Sequence, residues 1–202
     1  EAMAAVWHGV EDLVIETVVL PKVRTADAGL RVEAGGWGGK DHELFMGHIP
    51  APFPIVPGHE TVGTIEAIGD QAAAKWHINV GDRVAVECWQ SCGACESCRT
   101  GVYRRCVKHG PTDLYGMIPT DREPSLFGGY ATHHYLSPDS LVLPVPAELN
   151  PVEATLFNPL GAGIKWGVEI PGTQPGDYVA VLGPGIRGLC ALVATRDAGA
   201  EF

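Results

Sequence analysis

Apolar and polar positions alternate in short runs along the first three quarters of the chain. Val6-Trp7, then Leu13-Val14-Ile15 and Val18-Val19, are β-prone and broken at His8-Gly9, which predicts two strands around a turn. Leu30 to Ala34 alternates and predicts a third strand. Thr61 to Ile68, entered from Gly58-His59-Glu60, alternates again, and the Gly81-Asp82 turn leads into Arg83-Val84-Ala85-Val86. Gly129 to Leu136 and Leu141 to Val145 supply the last strands. Glycines and prolines, among them Pro50, Pro52, Pro54 and Pro57, separate these runs, and no helical period interrupts them. A β-barrel-like domain over about residues 1–148 is the expectation.

The pattern changes after Pro146. Pro151 to Ala154 begins a helical segment, with Asn150 as N-cap and proline at the first helical position. Tyr178 to Leu182 is a nearly continuous apolar run, as expected of a strand buried on both faces of a parallel sheet. It enters the turn Gly183-Pro184-Gly185-Ile186-Arg187-Gly188. Beyond it, Ile186, Leu189, Cys190, Val193 and Ala194 share one helix face. Strand, glycine turn and helix together form the setting in which such a turn cradles a dinucleotide pyrophosphate, although an empty βα turn has the same glycines. Gly183, Gly185, Ile186, Arg187 and Gly188 are the candidate cofactor-binding residues. Residues 149–202 thus read as the start of a doubly wound α/β domain. The acidic residue expected about 20 positions past the turn falls beyond Glu201-Phe202, so the sequence reads as part of a longer chain.

Charge narrows the possible partners. Lys and Arg total 14 against 24 Asp and Glu, a formal charge of −10, and no basic run exceeds Arg104-Arg105, so nucleic acid is not an expected partner. No apolar run approaches the roughly 20 residues that span a bilayer, and no basic-then-apolar leader opens the sequence. A cytoplasmic protein without membrane attachment is the expectation.

The densest chemistry is Cys92-Gly93-Ala94-Cys95-Glu96-Ser97-Cys98, followed at seven residues' remove by Cys106. Four thiolates at such spacings suit one tetrahedral zinc ion and leave no coordination position for a substrate. A local disulfide knot is the competing reading; without a secretory leader, metal is favoured. Cys92, Cys95, Cys98 and Cys106 are therefore the candidate ligands of a structural zinc lobe over about residues 88–110. Cys88 and Cys190 are read as buried small apolar residues.

Gly58-His59-Glu60, Gly63, Gly69, Gly81-Asp82-Arg83-Val84, the four-cysteine pattern and the glycine turn, in this order, resemble the zinc-containing alcohol dehydrogenase family, the medium-chain dehydrogenases/reductases. The resemblance implies a GroES-like barrel followed by a Rossmann domain. It further implies hydride transfer between NAD or NADP and an alcohol or carbonyl, and a homodimer or homotetramer at full length. It also shows departures. Where the family has a cysteine that ligates a catalytic zinc, then glycine, Ser/Thr and aspartate, this chain has Gly38-Gly39-Lys40-Asp41. His59, matching the second ligand, is present with Glu60 beside it. The third ligand is matched by Asn158 in Asn158-Pro159-Leu160. One imidazole, a nearby carboxylate and a neutral amide bind zinc poorly, so a catalytic zinc is not expected.

The candidate catalytic residues by this resemblance are Lys40, Asp41, His59, Glu60 and Asn158. Lys40 stands at the proton-relay position and would donate to a developing alkoxide; an exposed loop lysine fits the same sequence. His59 would act as acid or base, or simply be held by Glu60. Asp41, His42, Glu43 and His48 offer replacement metal ligands or a solvated surface, and Trp37 either lines a pocket or anchors its loop. Two other readings stand beside the zinc-free oxidoreductase: an atypical metal at His59 held through Glu60 or Asp41, and a non-catalytic zinc-stabilised domain.

Overall fold

The computed structural model describes residues 1–201, and Phe202 lies outside the described residues. The chain divides into two compact units, Glu1–Thr155 and Leu156–Phe202.

In the first unit, β1 (Ala2–Gly9) and β2 (Asp12–Val18) form the expected antiparallel hairpin, with Ala5 opposite Ile15. Val10-Glu11 makes its turn, and Glu11 takes a positive φ of 55° there. β3 (Ala28–Gly35), β4 (Thr61–Ile68), β5 (Arg83–Val86), β6 (His133–Leu136) and β7 (Val142–Pro144) form a second sheet in the order β6-β3-β4-β5-β7. Every pairing in it is antiparallel. Single bridges, Ala4 to Ala131 and Trp7 to Ile55, tie the hairpin to the loops around this sheet. β4 is buried on both faces in its first half rather than on alternate positions: Thr61, Val62, Gly63 and Ile65 are all buried, Val62 and Ile65 fully so with Leu30, Val84 and Leu136, while Glu66 is exposed. Removing side chains of this size from water is worth roughly 2 kcal/mol each, which sets the register of the sheet.

Three helices interrupt the region expected to be free of them, the two longer ones before the cysteine lobe. α1 (Gly39–Phe45) grows directly out of the glycine loop, and α2 (Asp70–Trp76) follows β4. Both are seven residues long, and α2 buries only Ala72. A helix with one small buried residue has no apolar stripe for a periodicity argument to detect. Further on, α3 (Glu96–Arg99) lies in the cysteine lobe, and α4 (Pro151–Ala154) has the expected cap, Asn150 Oδ1 accepting the Val152 N–H at 2.9 Å. Arg83 joins the sheet to the chain leading there: its guanidinium pairs with Glu33 at 3.0 Å and donates to the carbonyls of Ala147 and Leu149.

The second unit contains α5 (Phe157–Ile164), a π-helical turn at Lys165–Glu169 and α6 (Ile186–Asp197). α6 packs on α5 through small residues: a Cβ on Gly163 would meet the backbone of Cys190 at 2.6 Å. Two expectations change here. Tyr178 to Leu182 makes one parallel bridge, Tyr178 to Glu201, with Tyr178 82% and Leu182 98% exposed. A parallel strand is buried only when neighbouring strands and helices flank it, and among the described residues Glu201 alone pairs with this segment. In α6 the buried positions are Cys190, Ala194 and Thr195, while Ile186, Leu189 and Val193 face outward. The face that packs on α5 is the small-residue one, because close helix approach selects for small size.

Candidate functional site

The cysteine lobe converges as its spacing implies. The Sγ atoms of Cys92, Cys95, Cys98 and Cys106 all lie within 4.8 Å of one another, and Cys92 and Cys98 are 3.9 Å apart. Four sulfurs at zinc–thiolate distance stand about 3.8 Å apart in a tetrahedron. Backbone amides favour the anionic form at two of them, Cys95 and Cys106, while burial raises Cys98. Burial pushes the Cys106 thiol up, but N–H donors of Cys92, His109 and Lys108 outweigh this and bring it down to about 6. Cys95, which the Val107 and Cys98 amides face, is also lowered. These thiols fit a zinc ion, which would cross-link a loop whose own regular structure is limited to α3 and one 3-10 turn at Tyr103–Arg105. Cys88 is buried apart from this group and donates to Glu87 Oε1 at 3.3 Å.

Beside the lobe, the segment 107–127 carries an ion-pair cluster. His109 Nδ1 meets Asp113 Oδ2 and Nε2 meets Asp139 Oδ2, each at 2.8 Å. Lys108 adds a contact to Asp139 at 2.6 Å, and Arg122 closes on Asp113. Both carboxyls are held below the usual range: burial opposes the shift, and these donors overcome it.

A second cluster forms where the glycine loop after β3 runs into α1. Gly36 N–H donates to the Glu60 carbonyl at 3.0 Å, which lays the loop against the start of β4. The Glu60 side chain occupies the space next to Gly36, and a Cβ there would collide with its carboxylate. Asp41, in the first turn of α1 and 1% exposed, accepts the Gly38 N–H through Oδ2 at 2.9 Å. Its other oxygen, Oδ1, is buried without a hydrogen bond and faces His59 Nδ1 at 3.4 Å. The His59 side chain is 11% exposed. Asp41, His59 and Glu60 are thus brought together around Gly38.

Tyr130, which the sequence reading passed over, closes this cluster. Its hydroxyl donates to the Gly36 carbonyl at 2.7 Å, and its ring stacks on Trp37 at 5.7 Å. Burial, then the carboxylates of Asp41 and Glu60, push its hydroxyl far above the ordinary tyrosine value, so it stays a neutral donor. The sequence signal was the pair Gly128-Gly129 before it, which lets this backbone lie against Val56 and Thr61. Trp37 rests edge-on against buried Trp7 at 5.9 Å yet keeps 57% of its surface exposed, so it both anchors the loop and presents a face to solvent.

Lys40 is half-buried at the second position of α1. Burial and the Glu87 carboxylate push the Cys88 thiol far up, and the Lys40 charge acts against them. His42 and Glu43 on α1 and His48 just beyond it form exposed pairs, Glu43 meeting both histidines. Asn158 lies in α5, half-buried, within the second unit.

The glycine turn has the shape its motif requires. Gly183 has φ +105°, a conformation that side chains disfavour. A Cβ on Gly188 would overlap the Gly183 carbonyl, so α6 can begin tight against the turn only with glycine there. Gly185 caps α6 with open space beside it, and Ile186 and Arg187 form the exposed first turn. The Arg187 guanidinium lies 5.4 Å over the Trp166 ring. This cradle fits a dinucleotide phosphate, which the free N–H groups of a helix start attract.

No helix among the described residues is long and apolar enough to cross a membrane. Residues 24–147 match the alcohol dehydrogenase GroES-like domain. A Mycobacterium tuberculosis protein named "Probable alcohol dehydrogenase adh" is 59% identical over 98% of this chain and 54% of its own length. Among solved structures, alcohol dehydrogenase TADH from Thermus sp. ATN1 superposes with a TM-score of 0.83 at 30% identity, covering 98% of this chain and 56% of that one. A zinc-binding dehydrogenase structure from Sinorhizobium meliloti 1021, bound to NADP, gives 0.82 at 28% identity, covering 99% and 54%. The chain spans about half the length of the curated relatives it matches. With the barrel, the cysteine lobe and the family match in agreement, the chain belongs to the alcohol dehydrogenase family, through its GroES-like domain.

Proposed function

We propose that the chain serves an NAD(P)-dependent oxidoreductase that interconverts an alcohol and a carbonyl compound, with zinc in the cysteine lobe as a structural ion. The observation that carries this reading is the glycine turn before α6, whose Gly188 leaves room only for backbone beside Gly183, in a chain of the alcohol dehydrogenase family. In this reading residues 149–202 start a Rossmann domain. Gly183, Gly185, Ile186, Arg187 and Gly188 hold the cofactor's pyrophosphate, and NAD(P) supplies or accepts the hydride. The chain's own groups manage the substrate oxygen. Lys40 lends a positive charge to it, and Tyr130 and Asp41 fix the loop and the His59 ring, so that His59 is oriented for proton transfer. Glu60 shapes the loop through Gly36, and Asn158 offers a neutral amide.

A homodimer or homotetramer, acting in the cytoplasm on a small molecule without nucleic acid or membrane, completes the reading. Six free cysteines are consistent with a reducing compartment. The test is fluorescence titration of the chain with NADH and NADPH, together with turnover of a panel of primary, secondary and polyhydric alcohols. Binding that weakens at least tenfold in Gly185→Val supports the reading. Unchanged binding in that variant, or none in the parent, sinks it.

A further inference from the structure

The family implies a second metal near His59, and the residues gathered there do not fit one. A catalytic zinc takes three protein donors and keeps one position open. Gly38 offers no donor. Asp41 Oδ2 is already engaged by the Gly38 N–H at 2.9 Å, and Oδ1 is turned to His59 Nδ1 at 3.4 Å. Among the described residues, the one group of three or more His, Cys, Asp or Glu donors that converges closely enough for a metal is the four cysteines of the lobe.

The glycine at position 38 is not demanded by packing. A Cβ there would sit 3.6 Å from Asp41 Oδ2 and 3.7 Å from Glu60 Oε1, which is ordinary van der Waals contact. The backbone at Gly38, φ −108° and ψ 173°, is extended and open to any residue. Two residues earlier the opposite holds, since a Cβ on Gly36 would run into the Glu60 carboxylate. Gly36 is therefore steric, whereas what Gly38 changes is chemical: it removes a donor from a space flanked by two carboxylates and an imidazole.

We propose that this chain holds one zinc ion, in the cysteine lobe, and none at His59, because Gly38 supplies no donor beside His59 and Glu60. The proposal rests on the oxidoreductase reading only for the expectation of a second metal; the metal count itself needs no turnover. The experiment is zinc quantification per chain after exhaustive dialysis, with cobalt substitution to read thiolate ligation. The parent is expected to carry one zinc, and His59→Ala to leave that count unchanged. Gly38→Ala is expected to fold with one zinc. Gly38→Cys, whose thiolate with His59 and the Glu60 carboxylate, 3.7 Å from a Cβ at position 38, makes three donors, is expected to bind a second equivalent, with an added thiolate-to-cobalt absorption band, and to lose it again when combined with His59→Ala.

Two zinc ions in the parent, one of them lost in His59→Ala, would overturn the proposal. So would a Gly38→Cys protein with parental circular dichroism that stays at one zinc. Should Gly38→Cys not fold, the parent and His59→Ala counts still decide the matter. Failure of the oxidoreductase reading would show separately, as absent NAD(P) binding with the metal count intact.

Discussion

One buried side chain and one crowded glycine set the terms at the scale of single residues. His134, on β6, is 1% exposed; neither ring nitrogen has a hydrogen-bond partner, and its ring meets Tyr115 edge-on at 4.6 Å. Burial lowers its pKa from 6.5 to about 3. A base whose folded pKa is depressed leaves the unfolded chain taking up the proton first. Its contribution is therefore intact above about pH 6.5 and is lost as the pH falls toward 3, by up to about 1.4 kcal/mol per unit. Urea unfolding of His134→Leu should show a shallower acid limb than the parent, the gap reaching roughly 2–3 kcal/mol near pH 4.5. At pH 7.5 the variant should match or exceed the parent by about 1 kcal/mol, since two unpaired nitrogens are gone. Parallel acid limbs would refute this account. Gly36→Ala is expected to cost roughly 2 kcal/mol or more, because the new methyl displaces the Glu60 carboxylate from beside the loop; Gly38→Ala should cost less than about 1. Thermal melts of the two variants check the contrast.

Among the elements, the cysteine lobe depends on its ion more than on its packing. Cys106 is buried, but Cys92, Cys95 and Cys98 are partly exposed and the only regular structure nearby is short. Chelation, or Cys106→Ser, should open residues 92–127 to limited proteolysis and lower the melting temperature, while far-ultraviolet circular dichroism of the sheet changes little. Resistance of the chelated chain to cleavage in this segment would count against a zinc-held lobe. The strands were legible in advance because alternation reports a sheet with one wet face. α1 and α2 were not, since each is two turns long and buries one or two residues, too few for a 3.6-residue period to register.

Across the whole chain, the two units differ in how much apolar surface they cover. The first unit encloses fully buried Trp7, Leu30, Ile55, Val62 and Ile65. In the second, Tyr178, Leu182, Ile186, Leu189 and Val193 all remain exposed. Amide exchange should accordingly be slow in β3, β4 and β5 and several orders of magnitude faster from Tyr178 to Ala200, because opening there sacrifices little burial. Equal protection of both regions would show that the second unit is stabilised by something other than its own packing.

The sequence by itself determined where most strands run along the chain, the Asn150 cap, the four-thiol set and the two glycine motifs. Each of these depends on local spacing: a two-residue alternation, a cap beside proline, thiols a few residues apart. Only the tertiary structure decided that Asp41 is buried and faces His59, that Tyr130 from a distant loop closes over Gly36, and which of two neighbouring glycines is needed for space. Those facts arise between segments tens of residues apart in the chain, where β3, α1, β4 and the loop before β6 meet. The exposure of Tyr178 to Leu182 belongs with them, since an apolar run is buried only where the fold supplies neighbours to cover it.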